Sequence, residues 1–136
     1  MCDLKGKRIF IVEDNVTNLA VFATTLRNYG AIIIQDAWNT GTVNMLCQNL
    51  PIDLVIIDIM LRKGITGYDI FNTMQEHEEL KHIPVLAVSS LDPETEIPKA
   101  QAIGMVGFIG KPISIRHFPD QVSACIRKET VWEAGR

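Results

Sequence analysis

Residues Leu54-Val-Ile-Ile57 form an unbroken apolar, largely β-branched run. No other stretch constrains the fold more tightly. A strand with one solvated face alternates apolar and polar residues, whereas a run without alternation is buried on both faces. Such a strand demands a covering layer on each side of its sheet. Asp58 follows at once. A carboxylate within the buried strand would cost several kcal/mol, so Asp58 belongs where the strand emerges.

Similar short runs recur at Ile9–Val12, Ala31–Ile34, Pro84–Val88 and Val106–Ile109. Between them lie helical patterns. Val16, Leu19, Ala20, Ala23 and Leu26 make one amphipathic stripe, with Asn15 as its N-cap and Gly30 as its stop. Val43, Leu46, Cys47 and Leu50 mark a second helix, closed by Pro51. A loop through Gly64 and Gly67 leads to a third helix ending at Leu80. Pro93 and Pro98 restrict the fourth to a short piece before Gly104, and the last runs from Ile115 to about Lys128. Five strands alternating with five helices predict an α/β fold, a five-stranded parallel sheet with helices on both faces.

A chain of 136 residues accommodates one domain, spanning 1–136 with its core at about 5–128 and a short tail at 129–136. With 47% hydrophobic and 21% charged residues it has the composition of an ordered globule. A net charge of −3 supplies no attraction to nucleic acid or an anionic membrane, so neither is expected as a partner. Lys5, Lys7 and Arg8 read as solvated charges flanking a strand. Cys2, Cys47 and Cys125 are distant and lack CxxC pairing, which predicts a reducing, cytoplasmic setting and no structural zinc. Cys47 and Cys125 fall at helical spacing with apolar residues and read as small core side chains. His77, His82 and His117 are scattered, without ligand spacing. No run reaches transmembrane or signal-peptide length.

In an open parallel sheet, functional groups gather beyond the carboxyl ends of the strands. There the sequence places Glu13-Asp14, Asp58, Ser89-Ser90 and Lys111-Pro112. Each alone would be an ordinary loop residue, but together they are complementary. Three carboxylates crowded together take up a proton or bind a cation. All-oxygen ligation suits Mg²⁺, with Mn²⁺ as an alternative. Asp58 can then act as nucleophile toward a phosphoryl group, with Lys111 and Ser89 contacting its oxygens.

At this point the chain resembles the receiver domains of two-component response regulators, in a single-domain form similar to the chemotaxis regulators. The resemblance rests on Ile-Val-Glu-Asp-Asn (11–15), Leu-Val-Ile-Ile-Asp (54–58), Ile-Pro-Val-Leu-Ala-Val-Ser (83–89) and Gly-Phe-Ile-Gly-Lys-Pro (107–112). It implies a flavodoxin-like sheet of order 2-1-3-4-5. It makes Asp58 the phosphoacceptor, Asp14 a direct metal ligand, Glu13 a ligand through water, and Met60 a ligand through its backbone carbonyl. Ser89 and Phe108 become switch residues, Lys111 the counter-charge, and Lys111-Pro112 a cis peptide. The implied partners are a cognate histidine kinase or phosphotransfer protein, and a downstream protein reached through the fourth helix, fifth strand and fifth helix. With only 129–136 after the last helix, the expectation is action through another molecule or through a homodimer on that same face. There Ile97, Ile103, Ile115 and Phe118 stand beside Lys99, Arg116 and Asp120.

Departures from the family pattern are Glu13 in place of Asp, Leu61-Arg62 in place of Met-Pro, a loop to Gly67 one residue longer, and Ser90 beside the switch hydroxyl. An extra turn of the last helix packing back is the expectation for the Trp132 tail, with an interface anchor as the alternative. A haloacid-dehalogenase-like enzyme would need a second acid two residues after its nucleophile, where Met60 stands. A nucleotide site would need a glycine-rich first loop in place of the acidic Glu13-Asp14-Asn15. The alternative is a pseudo-receiver, a binding module that no longer uses phosphorylation. The main expectation is a phosphorylated switch with slow self-dephosphorylation, not a turnover enzyme.

Overall fold

A computed structural model of the chain describes residues 3–38 and 41–134, leaving Cys2 outside. Among the described residues six strands form one parallel sheet: β1 (Arg8–Val12), β2 (Ile32–Asp36), β3 (Leu54–Ile57), β4 (Val85–Ser89), β5 (Gly107–Gly110) and β6 (Val131–Glu133). Their order is β2-β1-β3-β4-β5-β6. The connecting helices are α1 (Val16–Arg27), α2 (Thr42–Gln48), α3 (Gly67–Gln75), α4 (Pro93–Ile103) and α5 (Phe118–Ile126).

Successive strand residues point to opposite faces, and the continuous apolar runs fill both. Phe10, Val12, Val55, Ile57, Val85, Ala87 and Phe108 pack against Leu46 of α2, Ile70, Phe71 and Met74 of α3, and Ala100 of α4. Ile9, Ile11, Leu54, Ile56, Leu86, Val88 and Ile109 pack against Leu19, Phe22 and Leu26 of α1 and Phe118, Val122 and Cys125 of α5. Each fully buried side chain of this kind contributes roughly 1.5–3 kcal/mol. The sheet between two helical layers is thus fixed by strand composition.

The expected five-stranded sheet is corrected by β6, and with it the expected extra turn of the last helix. Helix α5 ends at Ile126, and Lys128 turns the chain with φ 64°. Val131 N–H then donates to the Val106 carbonyl at 3.2 Å, and Trp132 becomes the partner of Phe108 across the pair. Gly107 permits this approach, since a Cβ there would lie 2.5 Å from the Val131 carbonyl oxygen. Trp132 packs on the core face that holds Phe108, and Val131 on the other.

Helix α4 also departs from expectation, running eleven residues straight through Pro98. Proline removes one N–H, the one that would reach the Glu94 carbonyl, and Glu94 is exposed, so water can take that acceptor. Asp92 caps the helix by accepting from Glu94 N–H at 3.1 Å, Pro93 occupies its first turn, and Gly104 ends it with φ 101°. Helix α3 stops at Gln75, and turns through His77–Ile83 carry Leu80 into the core. In α1, Phe22 joins Leu19, Ala23 and Leu26 in the buried stripe, whereas Val16 and Ala20 are exposed. Helix α5 begins at Phe118, with Ile115 exposed ahead of it.

Arg8 is no free surface charge. Its N–H donates to Asp53 Oδ2 (2.8 Å), its Nε to the Pro51 carbonyl (2.7 Å) and its Nη2 to the Asn49 carbonyl (2.8 Å). These bonds tie the start of β1 to the connection into β3. No helix among the described residues is long and apolar enough to cross a membrane.

Candidate functional site

Strand order reverses around β1, whose neighbours are β2 and β3, and the crevice beyond β1 and β3 lies at this switch point. Strand β1 releases Glu13 and Asp14 there, and β3 releases Asp58, whose N–H donates to the Val12 carbonyl at 3.0 Å. Carboxylate oxygens of Glu13, Asp14 and Asp58 lie within 4.8 Å of one another. Glu13 and Asp58 are buried, and Asp14 is half-buried.

Lys111, beyond β5, reaches across β4 into this pocket. Its Nζ donates to Glu13 Oε1 at 2.7 Å and to Asp58 Oδ2 at 2.8 Å. The remaining oxygens are also engaged: Asn15 N–H donates to Glu13 Oε2 (3.1 Å), and Met60 N–H to Asp58 Oδ1 (3.3 Å). Burial raises the Glu13 carboxyl pKa above its ordinary value, against the lowering effect of Lys111 and with a further rise from Asp58. For Lys111, burial works to lower the ammonium pKa, but the bonds to Asp58 and Glu13 outweigh it and raise the value overall. The Lys111 charge is therefore held firmly between two carboxylates.

The loop after Asp58 is braced from beneath. Gly67 N–H donates to the Ile59 carbonyl (2.8 Å), and a Cβ on Gly67 would meet the Asp58 carbonyl oxygen at 2.5 Å. Thr66 and Asp69 close a reciprocal capping box at the start of α3. Met60 pairs with Thr66 across the loop and leaves its side chain exposed.

Ser89 is buried at the end of β4, next to β3, and its hydroxyl accepts from Leu91 N–H at 3.1 Å. Phe108 is wholly buried in β5, three residues before Lys111. Lys111-Pro112 is cis, as expected, and Leu50-Pro51 is a second cis peptide that was not. The structure thus joins Glu13, Asp14, Asp58 and Lys111 directly and sets Ser89 on the same sheet edge.

Several contacts have no counterpart in the sequence reading. Arg62 Nη2 donates to the Asp14 carbonyl at 3.1 Å, and the guanidinium lies over the Trp38 ring. Tyr68 Oη donates to Glu96 Oε1 at 2.7 Å, joining α3 to α4, and burial followed by this bond and the Glu96 charge pushes its phenol upward. The histidines are also less isolated than their spacing suggests. His77 meets Cys47 and Glu79, with ligand atoms within 4.8 Å, at the protein surface. Cys125 is fully buried, its thiol pushed up to about 12 by burial, whereas Cys47 is only partly buried.

The Glu13–Asp14–Asp58 donor set suits a hard divalent cation. It offers only carboxylate oxygens, without thiolate or imidazole, and repulsion among the three charges favours a cation between them.

The family profile described as the response regulator receiver domain matches residues 9–123. The polar-differentiation response regulator DivK of Brucella ovis is 28% identical over 118 residues, covering 87% of this chain and 94% of that protein. DivK of Brucella anthropi is 27% identical over the same length, with the same coverage. A response regulator from Desulfuromonas acetoxidans superposes with a TM-score of 0.79 at 26% identity, over 89% of this chain and 97% of its own. CheY4 of Vibrio cholerae, at 18% identity, shares the fold with a TM-score of 0.76 over 87% of this chain and 97% of its own. The matched span runs from β1 into α5 and includes every residue of the acidic pocket and its lysine. The chain belongs to the receiver domains of two-component response regulators.

Proposed function

We propose that this receiver is a phosphorylation-controlled switch that accepts a phosphoryl group on Asp58. The observation that supports this most directly is Lys111 bonded to both Asp58 and Glu13 at the mouth of a three-carboxylate pocket. An Asp58 carboxylate oxygen forms the new bond to phosphorus as the P–N bond of a phosphohistidine donor breaks. The bonding pair returns to the imidazole nitrogen. The donor is a histidine kinase or a phosphotransfer protein.

Asp14 and Asp58 would hold Mg²⁺ directly, Glu13 through water and Met60 through its carbonyl. When bound, Mg²⁺ would supply charge neutralisation of the phosphoryl oxygens and alignment for in-line transfer. Lys111 exchanges its present contacts for a phosphoryl oxygen. Ser89 gives up the Leu91 amide and turns its hydroxyl toward the phosphoryl group. Positioning and charge stabilisation of this kind are most of what phosphoryl transfer requires.

Movement of Ser89 and Phe108 would shift an existing equilibrium at the α4–β5–α5 face. Strand β6 lies on that face, paired with β5, so a cytoplasmic downstream protein or a second copy of this chain would meet β6 as well as the helices. Phe118 is buried and contributes nothing there, whereas Ile103 and Ile115 are exposed. Dimers through this face would be weak in the resting protein and strengthened by phosphorylation.

The test is beryllium fluoride with Mg²⁺, followed by tryptophan emission. The wild type is expected to respond, Asp58→Asn to give no response, and Ser89→Ala to bind with a reduced change. A wild type that does not respond would support the pseudo-receiver instead.

A further inference from the structure

Arg62 lies four residues beyond Asp58, in the short 3-10 turn Arg62–Gly64. Its Nε stands 3.7 Å from Asp14 Oδ2, and its Nη2 donates to the Asp14 carbonyl at 3.1 Å. On the other side, the guanidinium carbon is 5.3 Å from the centroid of the Trp38 ring. A guanidinium over an indole face at this distance is attracted by the ring quadrupole.

The Trp38 backbone is held from within. Its main-chain N–H donates to Asp36 Oδ1 at 3.2 Å, and Asp36, buried at the end of β2, accepts the Thr42 hydroxyl through Oδ2 at 2.6 Å. Asp36 also accepts the Glu13 N–H through its carbonyl at 3.1 Å. The end of β2 thereby holds the Trp38 main chain, Arg62 lies over the Trp38 ring, and Arg62 faces a carboxylate of the acidic pocket.

We propose that Arg62 is a positioning residue of the phosphoacceptor pocket, an internal cation that competes with a divalent metal ion for Asp14, with Trp38 as its platform. This rests on the reading that Glu13, Asp14 and Asp58 bind Mg²⁺. Arginine stays charged at every working pH, so its contact with Asp14 cannot be relieved by deprotonation. A metal ion that takes Asp14 must therefore displace the guanidinium or bind against its repulsion. Either way, Arg62 raises the ion concentration the pocket requires. The Arg62–Asp14 pair is partly exposed, which limits the effect to roughly two- to fivefold in affinity. Trp38 is 70% exposed, and its emission should follow the departure of the guanidinium from its face.

The test uses the whole chain and two readouts that do not depend on phosphorylation. Binding of Mn²⁺ is measured from the EPR signal of the free ion for wild type, Arg62→Gln and Asp58→Asn. Emission from Trp38 is followed during Mg²⁺ titration in a Trp132→Phe background, with and without Arg62→Gln. The expected result is two- to fivefold tighter binding in Arg62→Gln, and a Trp38 response to Mg²⁺ that disappears with Arg62. A structural defect would weaken binding, so tighter binding separates competition from damage. Equal or weaker binding in Arg62→Gln overturns the proposal and leaves the metal site standing, provided wild type saturates and Asp58→Asn does not. If neither wild type nor Arg62→Gln binds Mn²⁺, the metal reading and the proposal fall together.

Discussion

Lys111 Nζ lies 2.8 Å from Asp58 Oδ2, and the same ammonium lies 2.7 Å from Glu13 Oε1. One cation thus balances two buried carboxylates that would otherwise face each other uncompensated. The residue that would neutralise a phosphoryl group is the one that keeps the resting pocket stable.

Removing that ammonium should therefore be costly. Lys111→Met leaves Glu13 and Asp58 as an unpaired buried couple, an arrangement that typically costs about 3 kcal/mol. Urea denaturation should show this loss, with Mg²⁺ restoring part of it. The pH dependence follows from the raised Lys111 pKa. Its stabilisation is fully present below the unfolded lysine value of about 10.4 and is lost as pH rises through the higher folded value. Wild type should show this alkaline loss and Lys111→Met should not.

Glu13 shifts in the same direction, in a lower pH window. Its folded pKa is raised, with burial as the leading cause, so the protonated form is the one the fold prefers. The stability associated with Glu13 is fully present below its unfolded pKa and lost as pH rises through the folded value. Glu13→Gln should accordingly raise stability at neutral pH, seen as a higher Tm. It should also weaken Mg²⁺ binding. In the wild type, ion binding should release protons and weaken as pH falls through the folded Glu13 pKa.

Strand β6 depends on the missing side chain at Gly107. Gly107→Ala places a Cβ against the Val131 carbonyl and should detach β6. The check is hydrogen exchange, in which the Val131 and Glu133 amides lose protection and Trp132 emission moves to longer wavelength. Mn²⁺ affinity, set at the opposite end of β5, should stay within twofold of wild type.

Phosphoryl lifetime is a further expected outcome. Met60 and Leu91 stand two residues after Asp58 and Ser89, and neither can orient an attacking water. Met60 is exposed, and Leu91 packs against the core. An orienting group of this kind is worth about 10²-fold in general acid–base settings. Phosphate loss should therefore be faster in a Met60→Asn, Leu91→Glu double variant than in wild type, by tenfold or more if water access is unchanged. Equal rates would show that these side chains do not set the lifetime.

The pocket was readable from the chain because each of its residues ends an apolar run. Asp58 after Leu54–Ile57, Glu13 after Ile9–Val12, and Lys111 after the β5 segment are marked by an abrupt change of polarity at a strand end. Strand composition likewise foretold helices on both faces of the sheet. The sixth strand carries no such mark, since Val131-Trp132-Glu133 is too short for a period, and its pairing depends on Gly107 in a different strand. Pro98 misled because one lost bond on an exposed helix face is tolerated once Asp92 and Gly104 cap both ends. The Arg62–Trp38 contact and the Tyr68–Glu96 bond, the latter between residues 28 apart, arise from how loops and helices come to rest, which local pattern does not encode.

Phosphotransfer onto Asp58 can be read by intact-mass spectrometry. Wild type and Asp58→Asn are incubated with Mg²⁺ and a phosphohistidine donor, with acetyl phosphate as a second donor. Wild type is predicted to gain one phosphoryl group from the phosphohistidine donor, lost on hydroxylamine treatment as an acyl phosphate and absent when the ion is chelated. Asp58→Asn is predicted to gain none. A phosphoryl group retained on Asp58→Asn, or a wild type that gains none from any cognate donor, would rule out Asp58 as the phosphoacceptor.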